Sequence, residues 1–107
     1  MTGQNLTQLD DTDIGQILSL EGLSVVLLSA SWDGNGIILS NIIAGLSARY
    51  ARVNFCVVDF EDSPQLTKLF NTPRPPGLVF LKNGELVDRI IGPAGVDRIE
   101  ETINKFV

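Results

Sequence analysis

Histidine is missing from this chain of 107 residues, and cysteine occurs once, as Cys56. Without histidine the sequence lacks the most common general base and metal ligand of proteins. A single cysteine excludes an internal disulfide. The two shortages remove the usual routes to metal, acid–base and thiol chemistry, so the sequence predicts neither a metal site nor a cofactor.

Positive charge is also scarce. The chain has 8 Lys and Arg residues against 13 Asp and Glu, a net charge of −5, and the basic residues are scattered. Binding to nucleic acid or to an anionic membrane through a broad electrostatic face needs the opposite balance, so neither partner is expected.

Long apolar runs are absent as well, since the longest, "VVLL" and "GIIL", fall far short of a membrane span. The first residues show no basic patch followed by an apolar stretch, which argues against a secretory signal. A cytoplasmic protein is therefore expected, unless a leader has been removed.

What the sequence does contain is typical of one globular domain, predicted over residues 1–107, with 44% hydrophobic and 20% charged residues. Apolar patterning along the chain predicts the order β-α-β-α-β-α-β-β-α, starting with a strand in "NLTQL". Asn83-Gly84 marks a hairpin between the last two strands. Parallel crossovers followed by an antiparallel hairpin predict an α/β fold with a mixed central β-sheet and helices on both faces.

Helix starts and faces can be read from the same patterns. Thr12 lies where the first helix would be capped, and Ser63 is expected to cap the third helix, with Pro64 at its first position. The second and last helices should each bury one apolar face. The predicted faces are Ile38, Leu39, Ile42, Ile43 and Leu46 for the second helix, and Val96, Ile99, Ile103 and Phe106 for the last.

The stretch "SWDGNG" joins the second strand to the second helix. As a calcium loop starting at Asp33 it fails, because its fifth and twelfth positions are Ile37 and Ala44, which have no side-chain oxygen. A phosphate cradle is disfavoured because no Lys or Arg follows and Asp33 would repel the anion. The favoured interpretation is that Asp33 caps the helix, while Gly34 and Gly36 permit tight turning.

From about Leu6 to Val107 the chain resembles the thioredoxin family. The resemblance is carried by "VVDFEDSPQLTKLF", by "PPGLVFLKNGELV", by Gly92 after the last strand, and by Trp32 before a four-residue turn that opens a long helix. It implies the thioredoxin-like fold. One fold serves many functions, so the function has to be argued from the site.

The sequence departs from the family where the family does its redox chemistry. Thioredoxins carry Cys-Gly-Pro-Cys after the tryptophan, whereas residues 33–36 are Asp-Gly-Asn-Gly. Thiol–disulfide exchange needs an attacking thiolate and a resolving thiol, and neither Asp33 nor Gly36 supplies one. The family's buried Asp and its neighbouring Lys correspond here to the apolar Leu27 and Val57.

A further departure concerns the loop opposite the turn. Pro76 matches the family's cis-proline, and the residue before it normally offers its backbone N–H and C=O to an extended substrate. Here that residue is Pro75, which has no N–H to donate. The resemblance therefore implies a weakened grip on peptides.

These observations predict a redox-inactive thioredoxin-like protein that is not an enzyme. It would act as a protein–protein interaction, chaperone-like or adaptor module, through a protein partner or by self-association. The predicted binding surface comprises Trp32, Asp33, Gly34, Asn35, Gly36, Pro75, Pro76 and Gly92.

The role of Trp32 is open between anchoring a contact and packing against Asp59 and the turn. If Trp32, Ile37, Pro73, Pro76 and Pro93 cluster, they form an apolar patch, rimmed by Asp33, Asp59, Glu61 and Arg74, that suits a partner.

Two other functions remain possible from sequence. One is a weak thiol–disulfide oxidoreductase or redox-homeostasis protein acting through Cys56. A buried, inert role for that cysteine is favoured, since it lies in a strand-like run with no nearby basic residue or helix N-terminus to lower its pKa. The other is a purely structural protomer.

Overall fold

The computed structural model describes residues 6–107. Asn5, where the predicted first strand begins, and residues 1–4 of the predicted domain lie outside the described residues. The elements follow the predicted order, with a short 3-10 helix (Asp11–Asp13) added before α1. The strands are β1 (Leu6–Leu9), β2 (Leu23–Ser29), β3 (Asn54–Asp59), β4 (Gly77–Lys82) and β5 (Glu85–Ile91). The helices are α1 (Ile14–Leu18), α2 (Gly34–Arg49), α3 (Pro64–Leu69) and α4 (Val96–Phe106).

The strands form one mixed sheet in the order β1-β3-β2-β4-β5. β1, β3 and β2 are parallel, whereas β4 is antiparallel to both β2 and β5. β2 is the central strand, and six of its seven residues are buried because helices cover both faces of the sheet. The predicted α/β fold is confirmed. Within the described residues, no helix has the length and apolar character needed to cross a membrane.

Alternate side chains of the strands pack into two separate hydrophobic cores, one on each face of the sheet. Val25 and Leu27 of β2 pack on the face covered by α2 and α4, and Val26 and Leu28 pack on the face covered by α1 and α3. This is the period-two pattern expected of a strand buried on both sides. The first face carries the two longer helices, and the second carries only short ones.

The predicted helix faces are partly wrong. In α2 the buried residues include Leu39, Ile43 and Leu46, but Ile38 is 57% exposed. The helix face that meets the sheet is rotated away from the Ile38 side chain. In α4 the buried residues include Ile99 and Ile103, whereas Val96 in the first turn remains exposed.

The predicted caps of the two short segments are also wrong. Thr12 does not cap the first one. Its backbone N–H and its hydroxyl both donate to Asp10 Oδ1, at 2.9 and 2.6 Å, and Asp10 N–H donates to Asp13 Oδ2 at 3.0 Å. These two hydrogen bonds from Thr12 lower the pKa of the Asp10 carboxyl. Asp10 is therefore the capping residue, in a capping box with Asp13.

At α3 the cap comes from a distant element. Ser63 makes no capping hydrogen bond, and its buried hydroxyl has no hydrogen-bond partner among the described residues. Instead, both oxygens of Asp11 accept from the helix start, from Gln65 N–H at 3.0 Å and from Leu66 N–H at 2.9 Å. Asp11 thereby ties the 3-10 helix to α3.

The β4–β5 hairpin turns at Asn83-Gly84, as predicted, with both residues at positive φ. Asn83 N–H donates to Gly22 O at 2.9 Å, and Gly22 N–H donates to Asn83 Oδ1 at 2.8 Å. This pair fixes the hairpin at the end of the sheet where β2 begins. The opposite end, where β2 finishes, holds the candidate site.

Candidate functional site

The candidate site lies where β2 ends and β4 begins. Leu28 of β2 pairs with Gly77 of β4, and Gly77 pairs with Ile91 of β5. The segments that extend beyond these pairs are residues 32–36, here called the 32–36 turn, and the Pro75-Pro76 and Gly92 segments. The topology thus brings all the predicted surface residues to one end of the sheet.

Asp33 caps α2, and its predicted role is confirmed. Asn35 N–H donates to Asp33 Oδ1 at 3.0 Å, and Gly36 N–H donates to the Asp33 carbonyl at 3.0 Å. Asp33 N–H in turn donates to Ala30 O at 3.0 Å. The Asp33 carboxylate, at the position that the resemblance matches to the family's first cysteine, therefore stabilises the start of α2.

Gly36 lies in the first turn of α2 and is buried. A Cβ placed there would lie 2.8 Å from the Ser29 Cβ, closer than real Cβ atoms approach one another. Because the obstructing atom is itself a Cβ, it cannot swing aside as the end of a long side chain could. Position 36, which the resemblance matches to the family's second cysteine, thus has no room for any side chain unless α2 or β2 shifts.

Trp32 is the most exposed large apolar residue of the site, at 67%. Asp59 Oδ1 accepts from Glu61 N–H at 2.9 Å and from Asp62 N–H at 3.1 Å, and packing of the indole against Asp59 and the turn stays a prediction. Among residues 6–107, no hydrogen bond joins the indole to that carboxylate. The indole is left available at the surface.

The proline loop is held in place by the segment after β5. The Pro75-Pro76 peptide bond is cis, and Gly92 N–H donates to Pro76 O at 2.8 Å. Pro76 and Gly92 are both buried, while Pro75 is half-buried. Gly92 has φ +92°, a conformation that favours glycine. Pro76 therefore cannot contribute its ring to the predicted apolar patch.

Burial divides the predicted surface residues into two groups. Trp32, Gly34 and Asn35 are exposed and Asp33 is half-buried, whereas Gly36 is buried along with Pro76 and Gly92. The surface available to a partner is consequently narrower than the sequence predicts, and it centres on Trp32.

Leu27 and Val57, the positions that the resemblance matches to the family's charged pair, are apolar neighbours. Leu27 and Val57 are register partners in β2 and β3, and Leu27 is fully buried. Leu27 belongs to the core under α2 and α4, and Val57 packs against that core. No proton acceptor therefore lies at either position below the turn.

Cys56 lies on the other face of the sheet, in the core under α1 and α3. Its residue is 2% exposed, and burial raises the pKa of the thiol to about 11. A thiol is a nucleophile as thiolate, so burial disfavours the reactive form of Cys56 at neutral pH. In the described part of the chain, no group of three or more His, Cys, Asp or Glu side chains could hold a metal ion.

Sequence reasoning missed two residues of the site. Ile38 is exposed in the first turns of α2 next to Ile37, which is also 57% exposed, so two exposed apolar residues follow the 32–36 turn. Ser29 provides the Cβ that closes the space at Gly36. The sequence shows that Ser29 is a small residue near the end of a central strand. Its close approach to Gly36 becomes clear only once the crossing of α2 over β2 is known.

Comparison with known proteins agrees with this fold. The thioredoxin family model matches residues 6–105. Thioredoxin H2 of Arabidopsis thaliana is 34% identical over 84 residues, which make up 78% of this chain and 62% of that protein, so the match spans less than two thirds of the plant protein. Thioredoxin of Callithrix jacchus is 33% identical over 103 residues, 94% of this chain and 97% of the relative.

The fold comparison gives the same result. The crystal structure of mitochondrial thioredoxin 3 from Saccharomyces cerevisiae, in its oxidised form, superposes with a TM-score of 0.86 at 24% identity, covering 99% of this chain and all of that one. The family match covers almost the whole described chain, and a single cysteine, buried away from the turn, fits the lack of a redox pair. The chain is a member of the thioredoxin family whose single cysteine fits the lack of the active-site pair.

Proposed function

We propose that this protein binds another protein through the surface around Trp32 and catalyses no thiol–disulfide exchange. The observation that carries the proposal is the 67% exposure of Trp32 beside a turn that can no longer hold two thiols. Large aromatic side chains at exposed positions are frequent anchors of protein interfaces. The surface needs no cofactor to perform this role.

The exposed neighbours support an apolar contact of this kind. Ile37 and Ile38 are each 57% exposed in the first turns of the helix that the 32–36 turn opens. Exposed apolar side chains grouped near one aromatic residue are typical of an interaction site. Pro75 contributes no N–H, which favours side-chain contacts over an added strand at this position.

The alternative function, thiol exchange through Cys56, is disfavoured by burial and by the raised pKa of the thiol. Titration with an aromatic disulfide reagent at neutral pH separates the two functions. We expect labelling only after unfolding, and insulin reduction no faster than buffer. Rapid labelling of the folded protein, or measurable insulin reduction, would support the enzymatic alternative.

The binding proposal is tested by replacing the indole. Wild-type protein, Trp32→Ala and the control Leu86→Ala are used to capture partners from the source cell, and affinities are then measured with the purified partner. Leu86 is a suitable control because it is 42% exposed in the first residues of β5, at the other end of the sheet.

We expect Trp32→Ala to weaken the affinity at least about tenfold and Leu86→Ala to leave it unchanged, since central aromatic anchors contribute about 2 kcal/mol or more. Equal recovery of the same partners by all three proteins refutes the proposed surface. Self-association is included in the proposal, and sedimentation over a range of concentrations would detect it as a dimer that Trp32→Ala weakens.

A further inference from the structure

A second apolar surface lies on the face of the sheet covered by the short helices. The groove between α1 and α3 has a volume of about 450 Å³, and it is lined by Ile14, Leu18, Gln65, Lys68 and Leu69. None of these residues belongs to the 32–36 turn or to the proline loop. The groove is therefore a separate feature from the site described above.

Its two walls have the repeat of a helix. Ile14 and Leu18 are four residues apart on α1, and Gln65 and Leu69 are four residues apart on α3. α1 and α3 follow the parallel strands β1 and β3, so both helices start at the same end of the sheet. Side chains one helical turn apart on two such walls match the ridges of a third helix.

The groove is too shallow to enclose a small molecule. Leu18 is 39% exposed and Leu69 is 48% exposed, so the walls leave much of their apolar surface open. Pockets for small ligands usually cover about 70–90% of the ligand surface. A helix that rests on the groove needs only one of its faces covered, which these walls provide.

The charge of the groove lining favours one kind of binding partner. Lys68 is the single charged residue in the lining, and in the described part of the chain it forms no ion pair. The chain as a whole carries a net charge of −5, so this ammonium is a local exception. The Asp11 carboxylate, from the 3-10 helix, already accepts hydrogen bonds from the backbone N–H groups of Gln65 and Leu66 at the start of α3. A carboxylate on the occupant would complement Lys68.

The helices that cover this face of the sheet are also short. α1 has 5 residues and α3 has 6, whereas α2 has 16 and α4 has 11 on the opposite face. We infer that the α1–α3 groove binds an amphipathic helix of a partner protein. That helix presents apolar side chains one turn apart to Leu18 and Leu69, and a carboxylate to Lys68.

The test uses two synthetic helical peptides of about four turns. Both carry leucines one turn apart on one face, and they differ only in whether glutamate or lysine flanks those leucines. Binding to the full chain is measured by calorimetry and mapped by amide chemical shifts. The variants are Lys68→Glu, the double variant Leu18→Ser/Leu69→Ser, and the control Lys105→Glu, an exposed charge in the last turn of α4.

We expect the glutamate peptide to bind the wild type more tightly than the lysine peptide and to shift amides of α1 and α3. Lys68→Glu should reverse that preference by about tenfold or more, and Lys105→Glu should not change it. The double serine variant should abolish binding while its amide spectrum stays folded, because both leucines are partly exposed.

Several outcomes would overturn the inference: no binding of either peptide up to about millimolar concentration, equal binding of both, or shifts confined to the 32–36 turn. Self-association of the free chain that the double serine variant abolishes would also overturn it, by assigning the groove to a second copy.

Discussion

At the scale of single residues, Gly36 lies where α2 crosses the end of β2, and a Cβ there would come within 2.8 Å of the Ser29 Cβ. In the same helix, a Cβ at Gly45 would meet nothing within 4 Å. The two glycines therefore share one backbone conformation and differ in whether a side chain fits. Comparing alanine substitutions at Gly36 and Gly45 therefore isolates the effect of packing at position 36 on stability.

We expect Gly36→Ala to destabilise the protein by about 1–3 kcal/mol, because the added methyl group forces α2 away from β2. Gly45→Ala should stabilise it by about 0.5–1 kcal/mol, the usual gain of alanine over glycine in a helix. Urea unfolding followed by circular dichroism gives both values.

Ser29→Gly provides the matching rescue, since it removes the obstructing Cβ. In that background Gly36→Ala should cost little or become favourable. If Gly36→Ala in the otherwise unchanged chain is as stabilising as Gly45→Ala, the steric account of the 32–36 turn is wrong.

Local residue chemistry made part of the site predictable. An aspartate directly before a helix predicts a cap, and Asp33 is one. A cysteine within an apolar strand predicts burial, and Cys56 is buried. The contact of Gly36 with Ser29 was not predictable in this way, because it depends on how closely a helix approaches the strand that precedes it.

At the scale of elements, the start of α3 depends on Asp11 and not on the adjacent Ser63. We expect Asp11→Ala to cost about 1–2 kcal/mol, since it removes the acceptor of two backbone N–H groups, Gln65 and Leu66. Ser63→Ala should be neutral within about 0.5 kcal/mol, because the serine hydroxyl has no partner to lose among residues 6–107.

The measurement is again equilibrium unfolding, with amide hydrogen exchange of α3 as a local readout. Asp11→Ala should speed exchange at Gln65 and Leu66 before it affects the sheet. A larger loss of stability from Ser63→Ala than from Asp11→Ala would contradict the assignment of the cap.

The cap at α3 shows why element boundaries are harder to predict than element types. Ser63 and Pro64 correctly indicate where the helix begins, but the carboxylate that satisfies its first N–H groups is 54 residues away from Gln65. In α2 the buried face is hard to predict because too many residues are apolar. Ile37, Ile38 and Leu39 are consecutive apolar residues, so periodicity alone does not say which of them faces the core.

At the scale of the whole molecule, the departures from the family lie on separate elements that converge beneath and around one turn. Leu27 lies in β2 and Val57 in β3, Gly36 lies in α2, and Pro75 lies in the loop before β4. The alternation of strands and helices was enough to predict the sheet and its two layers of helices. The exposure of Trp32 was not, because it depends on how the 32–36 turn lies against the neighbouring segments in three dimensions.

This distribution implies that restoring the two thiols alone does not restore redox activity. In a Ser29→Gly background, which makes room at position 36, Asp33→Cys and Gly36→Cys should form a disulfide but reduce insulin about 100-fold more slowly than an active thioredoxin assayed alongside. A missing proton acceptor costs about 10²–10⁴-fold in general acid–base catalysis, and Leu27 supplies none. Pro75 adds to the loss because it cannot donate to an extended substrate.

Ser29→Gly alone serves as the control and should give only the background rate. Mass spectrometry with and without reductant establishes the disulfide independently of turnover, so a fold that cannot close the bond is distinguished from one that closes it without activity. Turnover within about threefold of the active thioredoxin would show that Leu27 and Pro75 do not limit the chemistry. The inactivity proposed for the unchanged chain would then have to be assigned to the missing cysteines alone.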